Sequence, residues 1–153
     1  DPRLRPPRRR GRRGHHRRGR AVETVSVSRI DAGTAAAFLA ELAGSDPRGI
    51  VTAESLHQSA QRGHCFAVNH ASGAQAVYII AVENGQAWVT ACRGEGGAVD
   101  FTKTLLPVIE HQAHGLAAVA FQTARPGLVR KAKAMGYQVT GWILKKELQP
   151  CAH

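Results

Sequence analysis

Apolar and polar positions alternate from Val22, where Val25 and Val27 stand between polar neighbours in "VETVSVSRI", and this period of two predicts a first strand. "DAGTAAAFLAELAGS" changes to helical spacing, with Ala36, Leu39 and Leu42 on one face and Gly44 as the stop. "TAESLHQSAQRG" predicts a second, short helix, with Thr52 and Ser55 available as caps and Gly63 closing it. Three strands follow in "HCFAVNH", "AQAVYIIAV" and "QAWVTAC", joined by "ASG" and by Asn84-Gly85, a hairpin dipeptide. Beyond a glycine-rich stretch, Phe101, Leu105, Val108, Ile109 and Gln112 fall at helical spacing, ending near Gly115. "LAAVAFQT" predicts a buried-type strand, and "RPGLVRKAKAM" a helix with Pro126 in its first turn and Gly136 just past its end. "YQVTGWILKKEL" predicts a closing strand. A meander followed by strand-helix units implies an α/β (α+β) fold. The expectation is a mixed, mostly antiparallel sheet of six to seven strands flanked by about four helices.

Pro107 falls inside the helix after the glycines. Either that helix starts near Ala98 and kinks, or it starts near Thr104 with Pro107 in its first turn, which moves its amide end away from the glycines.

Charge divides the chain unevenly. The net charge is +10, yet residues 1–20 hold ten arginines and Asp1, leaving residues 21–153 at +1. The expected organisation is a disordered Arg-rich arm over 1–20, one domain over 21–148 and a tail over 149–153. The arm is either a solvated tail, or sequence upstream of a natural start, or a segment that binds nucleic acid through its phosphates. No apolar run approaches the roughly 20 residues needed to cross a bilayer, so no membrane partner is expected. Cys65, Cys92 and Cys151 are too widely spaced for a ligand motif, no metal site is expected, and the cytoplasm is the simplest home. A transit peptide stays open, because the arm has almost no acids.

The stretch "ACRGEGGAVD" carries the chemistry. Successive backbone N–H groups at a turn and a helix start form a concave donor cluster, strengthened by the helix dipole, that suits a pyrophosphate. Side chains obstruct such an approach, which explains Gly94, Gly96, Gly97 and Ala98, while Arg93 adds a charge-assisted contact.

These residues, in this order of elements, resemble the GCN5-related N-acetyltransferase (GNAT) superfamily. Its cofactor signature, Arg or Gln, two residues, Gly, one residue, then Gly or Ala, is met by Arg93, Gly96 and Ala98. "GLVRKAKAMGYQ" is similar to the family's last helix and its Gly-aromatic ending, so the likeness spans residues 22–148. The resemblance implies an acetyl-CoA-dependent transferase that acetylates an amine acceptor, a small molecule or a protein. The pyrophosphate of coenzyme A falls on the glycine loop, and its pantetheine arm runs between the strands at Cys92 and Phe121, along the backbone of Thr90 and Ala91. "TARPGLVRKAKAMGY" also resembles phage- and prophage-encoded members, which places the protein, by resemblance only, in a virion or an infected host cell as an alternative. A catalytically silent GNAT-fold binding or structural protein is the competing class.

The pattern departs from the family where proton transfer is expected. The tyrosine that often stands four residues before the Gly-aromatic pair is Ala132, and Glu83, the carboxylate nearest the strand over 86–92, belongs to a hairpin tip. His64 and Tyr78 are the polar residues to test as catalysts. His57, His70, His111 and His114 are read as surface residues, Cys92 as a small buried residue beside the cofactor channel, and Trp88 and Trp142 as core or sheet-face residues. Arg125, Arg130, Lys131 and Lys133 form either a solvated face or a contact for the 3′-phosphate of coenzyme A.

Overall fold

The computed structural model describes residues 25–97 and 99–149. The arm over 1–20, the strand start at Val22, Ala98 and residues 150–153 lie outside them. The elements are β1 (Val25–Arg29), α1 (Ala32–Leu39), α2 (Ala53–Arg62), β2 (His64–His70), β3 (Gln75–Glu83), β4 (Gln86–Glu95), α3 (Phe101–Gln112), β5 (Ala118–Phe121) and α4 (Pro126–Ala134). The strands form one sheet in the order β1-β2-β3-β4-β5. Every pair is antiparallel except β4 with β5, which is parallel.

Local chemistry sets the helix ends. The Asp31 carboxylate accepts from Thr34 N at 2.8 Å and from Thr34 Oγ1 at 2.7 Å, which starts α1. The first helix is shorter than its sequence pattern, since it ends at Leu39 and a 3-10 turn over Ala40–Gly44 completes the run. At α2, Thr52 Oγ1 accepts from Ser55 N at 3.0 Å and Ser55 Oγ accepts from Thr52 N at 2.8 Å, a reciprocal capping box. Asn84 and Gly85, at φ of 52° and 71°, turn β3 into β4 with the twist that a two-residue hairpin requires.

The sheet is buried on both faces at its centre. Val77 and Ile79 pack under α1 and α2 with Leu39, Leu56 and Ala60, while Ala76, Tyr78 and Ile80 pack under α3 with Leu105 and Ile109. This division follows from the period of two along β3. Full burial of side chains such as Leu39, Ile79 and Ile109 stabilises by about 1.5–3 kcal/mol each.

The sheet differs from its sequence expectation at both ends of the domain's second half. β4 does not stop at Cys92 but continues to Glu95, because Arg93, Gly94 and Glu95 pair with Val77, Ala76 and Gln75. The closing strand expected over 137–148 does not form, so the sheet has five strands. Its sequence suits a strand, but among the described residues its backbone joins no ladder. Trp142, expected on a sheet face or in the core, is 88% exposed. No described helix is long and apolar enough to cross a membrane.

Candidate functional site

The parallel pairing of β4 with β5 covers Gln86–Val89 against Ala118–Phe121 and then ends. Two local features separate the strands there. Thr90 is an unopposed residue in the β3–β4 ladder, since Ile79 faces Ala91 and Ile80 faces Val89, and such a bulge bends its strand. On the other side β5 gives way to residues 122–125, and Pro126 then opens α4. Residues 90–95 of β4 thus continue with no strand along one edge, and lead into a turn at Gly96 and Gly97, with φ of 97° and 99°. The divergence brings Thr90, Ala91 and Cys92 to one place with the glycine turn.

Strand alternation decides where the side chains point. Ala91 packs into the α1–α2 core cluster and Arg93 follows it to the same face. The Arg93 guanidinium lies over the Phe38 ring at 4.9 Å, donates to Phe38 O at 3.1 Å, and pairs with Glu41 at 2.6 Å and Glu95 at 3.1 Å. It is committed to the α1 side, so any contact from position 93 to a phosphate would come from the backbone. The continuation of β4 to Glu95 fixes this direction, and the shorter strand read from sequence concealed it.

The glycines also acquire specific reasons. A Cβ on Gly94 would stand 2.4 Å from Phe101 Cδ2, and one on Gly96 would stand 2.9 Å from Ala74 Cα. Internal packing therefore excludes side chains at both positions. Gly97 alone opens to free space, where its positive φ is the requirement.

Helix α3 begins at Phe101, between the two starts that Pro107 allowed. Pro107 lies inside the helix on its exposed face, where water can reach the carbonyl left without an N–H partner. The cap is Asp100, whose carboxylate accepts from Thr102 N at 3.2 Å and pairs with Lys131 Nζ of α4 at 3.1 Å. Burial opposes the charge on Asp100, but the hydrogen bond and charge of Lys131 outweigh it and hold its pKa below the ordinary value. The helix end nearest the glycine turn thus already carries a carboxylate, neutralised by a lysine.

Cys92 is exposed, contrary to the buried position expected of it beside the cofactor channel. The protein around its sulfur still pushes the thiol up to about 12, against the pull of Arg125, which favours the protonated thiol. Tyr78 does not line the divergence. It is fully buried, its ring stacks on Phe66 at 5.3 Å, its hydroxyl donates to Gln112 Oε1 at 2.6 Å, and burial raises its pKa to about 12. These are the contacts of a core residue. His64 is exposed in the cross-strand row of Ile80 and Val89, two strands from β4, with Nδ1 at 2.7 Å from Arg29 Nη2. His57, His111 and His114 are exposed, and Glu83 lies beside the hairpin turn.

Sequence reasoning missed Tyr137. Its ring packs on Phe121 at 5.6 Å, where the divergence opens, and its hydroxyl is buried with no hydrogen-bond partner among the described residues. Burial, with Glu110 adding to it, raises its pKa to about 12. The Gly-aromatic pair had drawn attention only as a helix ending.

This order of elements, with a parallel-paired divergence beside a glycine turn and a helix start, is a GNAT-like fold. The overall fold is similar to that of solved structures, among them two acetyltransferases. One is the IAA acetyltransferase from Bacillus cereus, 17% identical with a TM-score of 0.54, matched over 74% of this chain and 75% of that one. The other is the ribosomal-protein-alanine N-acetyltransferase from Brucella melitensis, 12% identical with a TM-score of 0.51, matched over 82% of this chain and 100% of that one. At such identities the likeness is one of fold. No protein-family model and no curated protein matches the chain.

Proposed function

We propose that the protein is an N-acetyltransferase that binds acetyl-coenzyme A in the divergence between β4 and β5 and acetylates an amine, on a small molecule or on a protein. The observation that carries this reading is the free edge of β4, residues 90–95, leading directly into the Gly96-Gly97 turn. The residues fit the cofactor there: unpaired strand backbone suits an extended amide chain, and the turn leaves open space at Gly97. Bound acetyl-coenzyme A would supply an activated acyl thioester. The chain would hold it by the backbone of Thr90, Ala91 and Cys92 and by amides of residues 93–98, with Lys131 as the nearby cation. Positioning of this kind lowers the barrier without a dedicated base.

Proton supply falls to Tyr137 rather than to the position of Ala132, a buried methyl. A phenol with a pKa of about 12 stays protonated at neutral pH, so it serves as an acid and not as a base. The test is release of free thiol from acetyl-coenzyme A across a panel of amines and peptide N-termini. Turnover that falls at least about tenfold in Tyr137→Phe with unchanged cofactor affinity supports the assignment. The Ala132 departure favours a second reading, a binding protein of the same fold: cofactor affinity with no turnover on any amine would select it.

A further inference from the structure

Two buried side-chain polar atoms lack a hydrogen-bond partner among the described residues, Arg48 Nη1 and Tyr137 Oη. Both residues line the same cleft, which encloses about 1300 Å³ with residues 137–143 already forming part of its wall. Buried donors are almost always paired, and an unmade bond from a charged one is costly. Proton donation accounts for the phenol of Tyr137. Arg48 has no part in that step, and a ligand that brings an anionic acceptor into the cleft accounts for it.

The loop before α2 holds Arg48 ready. The Asp46 carboxylate accepts from Arg48 N at 3.0 Å, Ile50 N at 3.2 Å and Val51 N at 3.0 Å, which fixes the backbone, and from Arg48 Nε at 2.8 Å, which fixes the side chain. Asp46 thus takes the Nε edge of the guanidinium and leaves Nη1 without a partner. A planar guanidinium end matches a carboxylate, and one already locked in place loses little freedom on binding. The rest of the lining suits the other parts of such a ligand. Trp88 and Phe121 offer apolar ring surface, and Glu110, whose charge reaches the Tyr137 hydroxyl, attracts an ammonium group.

We propose that the acetyl acceptor is an amine that also carries a carboxylate on an apolar body, an amino acid in the broad sense, with the carboxylate held by Arg48 and the amine turned toward Tyr137. This names the substrate class of the proposed reaction and rests on the acetyl-transfer reading. In the transfer the neutral amine nitrogen bonds to the thioester carbonyl carbon and the carbon–sulfur bond breaks. The departing thiolate takes the Tyr137 proton, and the nitrogen gives one proton to water, from which the phenol is restored.

Isothermal titration calorimetry of the full chain without cofactor tests this, with N-acetyl-L-phenylalanine and N-acetyl-ε-aminocaproate each set against its own carboxamide. None of these probes has a titrating amine, so the comparison reads the carboxylate alone. At least one acid should bind at least about tenfold tighter than its amide, and Arg48→Gln should erase that preference with an unchanged far-ultraviolet spectrum. Glutamine keeps an N–H at the Nε position for Asp46 and lacks the guanidinium end. Acids that bind no better than their amides in both pairs overturn the proposal, and so does a preference that Arg48→Gln retains. Should the glutamine variant unfold, Arg48→Lys keeps a cation beside Asp46 and gives the same decision: the preference falls severalfold, and its full retention overturns the proposal. Thiol release from acetyl-coenzyme A separates the two claims. Acid preference with no release on any amine supports the carboxylate site and overturns acetyl transfer, whereas release on amines with no acid preference supports acetyl transfer and overturns the carboxylate site.

Discussion

Asp100→Asn isolates the electrostatics of the proposed phosphate site. Asparagine caps a helix about as well as aspartate, so Thr102 N keeps its acceptor and the fold changes by only a few tenths of a kcal/mol. What changes is charge. A carboxylate some 6 Å from a phosphate, with much of the field lost to solvent at an effective dielectric of about 40–80, opposes it by about 1 kcal/mol per unit charge. The substitution also frees Lys131, now paired at 3.1 Å, to meet the anion. Coenzyme A affinity should therefore rise about fivefold, read by isothermal titration calorimetry. The gain should shrink as salt is raised from 50 mM to about 0.5 M, because screening weakens both contributions. Unchanged or weaker binding in Asp100→Asn, with the fold intact, would refute the placement of phosphate at this helix end.

Three further outcomes follow from the packing. Gly94→Ala should lower stability by about 1–3 kcal/mol in chemical denaturation, since its methyl meets the Phe101 ring, and Phe101→Leu should restore part of the loss in the double variant. Tyr78→Phe removes only the bond to Gln112, so it should cost about 1 kcal/mol of stability and leave acetyl transfer unchanged. The carboxylate of Asp46 resists its own burial by accepting from Arg48, Ile50 and Val51, and its pKa drops to about 2. A depressed folded-state value means that its contribution is complete above pH 4 and fades as pH falls toward 2. Asp46→Asn should flatten the pH dependence of the melting temperature in that window, by an amount on the order of 1 kcal/mol after solvent screening.

Elements whose periodicity or punctuation is local could be read directly. The Asn84-Gly85 hairpin, the Thr52–Ser55 cap and the Pro126 start of α4 are written in adjacent residues. β3 showed itself as an unbroken apolar run because both of its faces are covered. The end of β4 was not legible, since residues 93–95 are strand only by virtue of Val77, Ala76 and Gln75 opposite them. That single extension redirected Arg93 toward Glu41, a partner 52 positions away that no local pattern announces. Tyr78 suggested catalysis because a hydroxyl on a strand can face either side; burial against Phe66 and Gln112 decided for the core. The segment over 137–148 reads as a strand from its composition and its Gly-aromatic start, and neither can supply the neighbouring edge that a strand needs.

Amide hydrogen exchange measured residue by residue, with and without coenzyme A, addresses the proposed site most directly. Bound cofactor should slow exchange at residues 90–97, along the free edge of β4 and through the glycine turn, and leave the β1–β2 ladder unchanged. Binding that protects another surface and leaves those residues as they were would contradict the account, as would no binding at millimolar cofactor.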